Sequence, residues 1–191
     1  GPDTRATGRL LHKHEQRKIW KEKNIEDLKW ILTSRIEEAT VALKTIGLPF
    51  IVKPVDSSGS RGVSKVISID ELDEAFIKAK QASRSGIVLI EEFLEGTEYT
   101  IEAFTSRGVT KIFAVTEKAK VEGSRGTVAS ELAYPSVAAE LVEKIKAKVL
   151  RAVKALDYQD GPTHTEVILT NHGRVGLVEM AGRGGGFGVF S

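Results

Sequence analysis

The stretch Thr163–Met180 constrains the fold more than any other. It reads THTEVILT, then Asn171-His172-Gly173-Arg174, then VGLVEM. Both arms are rich in β-branched residues and Asn-His-Gly suits a tight turn, so the pattern predicts a β-hairpin. With His172 and Gly173 as the two central turn residues, Thr170 faces Val175, Ile168 faces Leu177 and Glu166 faces Glu179. Two carboxylates directly opposed on one sheet face sit about 4.5–5.5 Å apart at Cβ and destabilise the sheet. A cation, a basic side chain or a shared proton must offset them. One reading is a magnesium-type site, because hard divalent ions take carboxylate oxygens together with substrate phosphates. The competing reading is two solvated glutamates on an exposed strand face. In the free protein the repulsion should raise one of the two pKa values.

The 191 residues suffice for one good-sized domain or two small ones. A net charge of +2 argues against a nucleic-acid partner. The absence of cysteine excludes disulfides and thiolate metal sites. No apolar run is long enough for a bilayer and no signal-peptide pattern opens the chain, which predicts a cytoplasmic protein without a membrane partner. Gly1-Pro2 looks like a protease scar and is set aside.

Residues 3 to 11 lack periodicity and are expected to be a loose lead-in. His12–Lys23 is predicted as a charged surface helix anchored by Ile19 and Trp20. Residues 27–91 read as β-α-β-β-α-β. The strands are Leu28–Leu32, Pro49–Val55, Val63–Ile69 and Ile87–Glu91. One helix follows a capping box at Ser34-Arg-Ile-Glu37, and a second is capped by Asp70. Residues 97–118 suggest two strands turning at Arg107-Gly108, residues 119–132 a mobile polar loop, and Val137–Leu156 an amphipathic helix. The chain ends in the glycine-rich run Gly182–Gly188.

Three stretches carry candidate chemistry besides the hairpin. The loop Ser57, Ser58, Gly59, Ser60, Arg61, Gly62 could converge backbone N–H groups and hydroxyls on phosphate oxygens, though an ordinary hairpin loop reads the same way. It lacks the ending of a P-loop. Lys53 interrupts an apolar strand just before that loop; burying it needs an anion, unless it snorkels outward. Glu91-Glu92-Phe93-Leu94-Glu95-Gly96 joins two parts of the chain, a natural place for a ligand cleft or simply an acidic linker. His164 shares a face with Glu166, but one histidine beside one glutamate is too weak a signal for zinc and is discounted.

In this order the stretches resemble the ATP-grasp superfamily, from about His12 to the end. The carriers are the segment around Lys13, GLPFIVKPVDSSGSRGV, IEEFLEGTEYTIE, GPTHTEVILT and VEMAGRGGG. The general plan is similar to biotin carboxylase, carbamoyl-phosphate synthase and D-alanine:D-alanine ligase, and most similar to the carbamoyl-phosphate-synthase-like branch of carboxylate–amine ligases. The resemblance implies an α+β ATP-grasp fold, two α/β lobes whose antiparallel sheets clasp ATP between them. Residues 1–26 would be the lead-in and opening helix packed on the large lobe, 27–91 the small lobe or lid, and 92–191 the large lobe with the metal site.

The resemblance also implies roles. Lys13 and Lys53 would contact ATP phosphates, with Lys118 adding a further contact, and Ser57–Gly62 would close over the triphosphate. Glu91, Glu92 and Leu94 would hold adenine, and Glu98 the ribose. Glu166 and Glu179 would ligate magnesium, with manganese as a substitute, and Arg183 would stabilise the transferring phosphoryl group. The implied activity is an ATP-dependent ligase core that converts a small carboxylate to an acyl-phosphate for attack by an amine or other nucleophile. A non-catalytic ATP-binding module used for sensing or assembly is the alternative. Three departures stand out: Ala181 replaces the usual asparagine two residues after the second carboxylate, His12 the usual aspartate before the opening lysine, and Asn24-Ile-Glu-Asp-Leu a proline-bearing hinge. Whole enzymes of the family have a preceding domain and continue past the glycine-rich end, so the chain is expected to be a core without its flanks. Oligomeric state is left open, a homodimer of the full-length protein included.

Overall fold

A computed structural model describes residues 4–57, 59–120 and 129–185. They fall into two compact units, one built from residues 4–27, 94–119 and 129–185 and the other on residues 28–93.

The first unit begins with α1 (Thr4–Leu11) and α2 (Lys13–Glu22). The loose lead-in expected at residues 3 to 11 is therefore corrected to a helix over Thr4–Leu11, residue 3 lying outside the described residues. Leu10 is buried in the core and Arg9 donates to the Leu156 carbonyl 2.8 Å away, tertiary contacts that offset a weak local pattern. Helix α2 buries Lys13, Gln16, Arg17 and Trp20, one face at i, i+3, i+4, i+7 spacing.

The second unit runs β1 (Trp30–Thr33), α3 (Ile36–Ala39), α4 (Val41–Thr45), β2 (Phe50–Pro54), β3 (Ser64–Val66), α5 (Leu72–Ala82) and β4 (Val88–Glu92). The β-α-β-β-α-β order holds, with the first helix split in two. The capping box does not form: the N-cap of α3 is Arg35, and the Thr33 hydroxyl takes the Arg35 N–H and binds Glu38 instead. Nor does Asp70 cap the later helix. Ser68 caps a 3₁₀ turn, Ile69–Glu71, that leads into α5. The antiparallel sheet has order β1-β4-β2-β3. Alternate residues Phe50, Val52, Val88 and Ile90 meet Leu72, Phe76 and Ala79 of α5 and Ala39 and Ala42 of the short helices in one core. On the sheet's other face lie Ile51 and Lys53 beside Leu89 and Glu91.

The first unit resumes with β5 (Gly96–Ser106), β6 (Val109–Lys120), β7 (Ala129–Ala133), α6 (Ala139–Ala155), β8 (Gly161–Thr170) and β9 (Val175–Ala181). Both ends of the loop expected at 119–132 are strand; 121–128 lie outside the described residues. The five-stranded sheet has order β7-β6-β5-β8-β9. Tyr99, Ile101, Val167, Leu177 and Met180 pack with Trp20, Ile145, Val149 and Leu156 in its core. Strand β9 ends the sheet, and α2 closes its outer edge. The Gln16 amide donates to Met180 O and accepts from Met180 N (2.6 and 3.0 Å), and Arg17 donates to Leu177 O and Val178 O (2.8 and 2.7 Å).

The hairpin at Thr163–Met180 forms with a different turn. Thr170 N donates to Arg174 O and Gly173 N to Thr170 O, both at 2.8 Å. Three residues rather than two make the loop, and Gly173 takes φ +73, a left-handed value that suits glycine. Leu169 therefore faces Val175 and Ile168 faces Gly176, one residue off the expected ladder. A bulge between Glu166 and Val167, with Val178 as the extra residue, restores the offset. Glu166 faces Glu179 as expected, through two deviations that cancel.

Candidate functional site

One face of the five-stranded sheet collects the ionisable side chains. Along β5, Glu98, Thr100 and Glu102 alternate with the core residues Tyr99, Ile101 and Ala103. The antiparallel partner β8 sets Glu166 opposite Thr100 and His164 opposite Glu102. Strand β9 sets Glu179 opposite Glu166 and Ala181 opposite His164. Lys118 on β6 lies one residue past the Tyr99–Glu117 pair and so reaches the same face.

Cations thread between these carboxylates. Lys118 Nζ bonds Glu98 Oε1 at 2.5 Å and Glu166 Oε1 at 2.7 Å. His164 Nδ1 lies 2.5 Å from Glu102 Oε1, and its Nε2 is 3.7 Å from Glu166 Oε1. Lys13 Nζ, carried by α2, is 3.1 Å from Glu179 Oε1. Glu102 also accepts the Gly185 N–H at 3.2 Å; a Cβ at residue 185 would stand 2.2 Å from Glu102 Oε1, so the close approach requires glycine.

The electrostatics overturn one expectation. Neither repulsion nor a shared proton raises Glu166. Burial pushes its pKa up, but the His164 hydrogen bond and the Lys118 ammonium outweigh that and hold it at about 2. Burial likewise opposes the charged form of His164, yet its contacts with Glu102 and Glu166 carry its pKa to about 9. Lys118 is raised too, its burial outweighed by Glu166 and Glu98. Basic side chains therefore neutralise the opposed carboxylates in the free protein.

Two facing carboxylates offer the hard oxygen donors magnesium prefers. Among the described residues no group of three His, Asp, Glu or Cys is arranged to hold a metal, and Ala181 adds no donor to this face. The donor set fits an ion that completes its shell with water and phosphate oxygens.

The second unit holds the other candidates. Lys53 and Glu91 lie diagonally on one face of β2 and β4, both buried and hydrogen-bonded to each other. The anion that burial of Lys53 demands is thus Glu91. The Glu92 carboxylate accepts from Lys29 N at 3.5 Å. In the loop, Gly59 and Ser60 are exposed with positive φ and Ser57 is half-buried, whereas Gly62 is buried against α5; a Cβ there would stand 2.6 Å from that of Ala82. Ser58 lies outside the described residues. In the first unit Leu94 packs over Gly176, and exposed Arg183 donates to Gly184 O rather than to the carboxylate cluster.

The structure adds to the predicted set. Glu102 and His164 form one end of the network, and Gln16 and Arg17 hold the strand that carries Glu179. Continuing the period-2 alternation from Glu98 to Glu102, opposite His164, would have exposed the first two. The grip of α2 on β9 leaves no sequence signal.

A sequence model described as the ATP-grasp domain matches residues 46–190. A D-alanine–D-alanine ligase of Flavobacterium psychrophilum is 42% identical over 74 residues, 39% of this chain and 22% of that protein. Another, from Aromatoleum aromaticum, is 26% identical over 183 residues, 94% of this chain and 58% of that protein. The chain thus spans less than two thirds of the length of these relatives. Among solved structures, an L-amino acid ligase from Bacillus licheniformis superposes with a TM-score of 0.80 at 24% identity, over 97% of this chain and 43% of that one, a likeness of fold.

Proposed function

The chain belongs to the ATP-grasp family, and on that premise we propose that it is the nucleotide-binding core of a magnesium-dependent carboxylate–amine ligase. The observation that carries this reading is the directly opposed pair Glu166 and Glu179, each paired with a lysine, on one polar sheet face. Magnesium bound there supplies positive charge to phosphate oxygens. With such an ion on the carboxylates, the Lys13 and Lys118 ammonium groups would turn toward phosphate charge. Lys53 and the backbone of Ser57, Ser58, Gly59, Ser60 and Gly62 add further donors. Residues 27–91 serve as the lid lobe and 92–191 as the metal-bearing lobe. The backbone at Glu91 and Glu92 reads the adenine edge, Leu94 meets the ring and Glu98 holds the ribose. Arg183 swings from Gly184 O to the transferring phosphoryl group.

The reaction breaks the bond from the γ-phosphorus to its bridging oxygen and forms one to a substrate carboxylate oxygen, giving an acyl-phosphate and ADP. An amine then attacks the carbonyl carbon and loses a proton, and inorganic phosphate leaves. Protein catalysis here is positioning and charge stabilisation. Ala181 favours a second reading, nucleotide binding without turnover, because position 181, two residues past Glu179, carries no side-chain oxygen donor. ADP release by the full-length parent protein, measured against a panel of amino acids and other carboxylates, separates the two. Product formation with a defined pair supports the ligase; nucleotide binding with no turnover across the panel supports the binding module.

A further inference from the structure

The hairpin carries a second concentration of charge at its opposite end, unrelated to the carboxylate pair. An open cavity of about 550 Å³ lies between the hairpin tip and α6. Its walls include Lys144, Lys148, Arg151, His172 and Arg174, and no acidic side chain lines it among the described residues. Lys144, Lys148 and Arg151 share one face of α6 at i, i+4, i+7 spacing, where like charges repel.

These cations are fixed in place but incompletely neutralised. Lys148 Nζ bonds Glu26 Oε2 at 3.0 Å, and Arg174 reaches Glu26 and Asp27 at 3.2 and 2.7 Å. Lys144 and Arg151 donate to the backbone carbonyls of Gly173 and Asn24, and no carboxylate lies against either among the described residues. Lys144 and Arg151 therefore bring positive charge to the groove with backbone carbonyls as their acceptors. Arg151, exposed and hydrogen-bonded through one nitrogen to the Asn24 carbonyl, carries a planar fork that matches phosphate oxygens. The volume is in the range of small-molecule sites.

We infer that this groove is a second ligand site, separate from the carboxylate face, that takes a small anion of the diphosphate class. Ile25, Ala147 and Val175 also line it and offer apolar surface to whatever the diphosphate is attached to.

The test is amide NMR on the 191-residue chain, titrated with inorganic pyrophosphate and, separately, with ADP, against sodium chloride at matched ionic strength. The expected result is a saturable shift at residues 144–151 and 171–175. It should weaken at least tenfold in the double variant Lys144→Gln/Arg151→Gln, whose remaining spectrum and melting temperature should match wild type. Saturation by pyrophosphate as tight as by ADP means that the phosphates alone are read. Tighter ADP binding with added shifts at Ile25 and Ala147 means a nucleoside diphosphate; either outcome supports the site. Shifts that fail to saturate, that sodium chloride reproduces, or that survive in the double variant overturn it. Shifts at residues 164–168 and 177–183 report the proposed nucleotide site instead, so failure of one leaves the other readable.

Discussion

Lys53–Glu91 and the Lys13–Glu179–Glu166–Lys118 network use the same two residue types to opposite ends. In the second unit the lysine and glutamate side chains are 5% and 6% exposed. In the first unit the two glutamates keep 29% and 26% exposure, and each cation meets its carboxylate from a different strand or helix. A dry ion pair owes its place to the cost of breaking it, because either partner left alone is a buried unpaired charge. A half-open network loses less when a partner leaves, since water or a ligand can take its place. The contrast teaches that a lysine's contact in the free protein says little about its job: burial decides how much stability the contact carries, not whether the lysine also serves a ligand.

The largest effect should follow from breaking the closed pair. Lys53→Met removes the buried cation that the Glu91 carboxylate binds and should cost about 3–5 kcal/mol. For a chain of this size that lowers Tm by on the order of 10 °C. Lys53→Met/Glu91→Leu should recover most of the loss while remaining defective in nucleotide binding. Thermal melts of the single and double variants, with and without ATP, check this. A single variant that melts within 2 °C of wild type would erase the distinction between the two regions.

His164 sharpens the comparison from the network side. Its pKa is raised from 6.5 to about 9 by Glu102 and Glu166, against the opposing effect of burial. Between those values the folded protein holds a proton that the unfolded chain has released. The stabilisation is therefore complete below pH 6.5 and is lost as pH rises through about 9, up to about 3 kcal/mol in all. Urea midpoints from pH 6 to 10 should fall in wild type and stay flatter over that window in His164→Gln. Parallel curves would mean that the histidine is not tied to the two glutamates.

Exchangeability itself is tested at the carboxylates. Magnesium with ATP binds the native state and should raise Tm by linkage. Glu179→Gln should keep most of the apo stability, because its carboxylate is partly exposed, and should lose most of the magnesium-dependent shift. Glu166→Gln should lose that shift too, but with a lower apo Tm, since Lys118 and His164 both depend on this carboxylate. If both variants keep the full shift, the opposed pair is not the metal site.

Much of this architecture was legible, and the remainder was hidden for different reasons. The β-branched arms announce the hairpin and its turn puts Glu166 opposite Glu179, whereas Glu98 and Lys118 join that face through strand pairings that no local pattern shows. The true turn and the bulge at Val178 were hidden, because Asn-His-Gly serves two loop lengths and every residue of β9 near the bulge is an acceptable strand former. Thr33 displaced the capping box by a local competition, taking the Arg35 N–H and binding Glu38, whereas α1 forms because Leu10 and Arg9 find the core and the end of α6. The hydrogen bond between Lys53 and Glu91 was hidden because it depends on β2 pairing with β4. Local pattern shows which face a residue is on; which of several nearby charges it pairs with depends on strand order, a long-range property.

The smallest stability effect belongs to Lys13, and it is the sharpest comparison with Lys53. Both are lysines of low exposure against a glutamate, but Glu179 is partly open to water where Glu91 is not. Lys13→Gln preserves length and a donor while removing the charge. The lost attraction is between a buried cation and a hydrated carboxylate, so the cost should stay near that of surface pairs, about 0.5–1 kcal/mol. That is a Tm change of roughly 2–4 °C. Nucleotide affinity should nevertheless fall about tenfold if the ammonium transfers from Glu179 to a phosphate when magnesium takes the carboxylate. Calorimetry with ATP and magnesium, beside a melt of the free variant, reads both quantities in one protein. A small Tm loss with a large affinity loss fits an exchangeable contact. A Tm loss as large as that of Lys53→Met would make Lys13 a second closed pair, and an unchanged affinity would remove it from the nucleotide site.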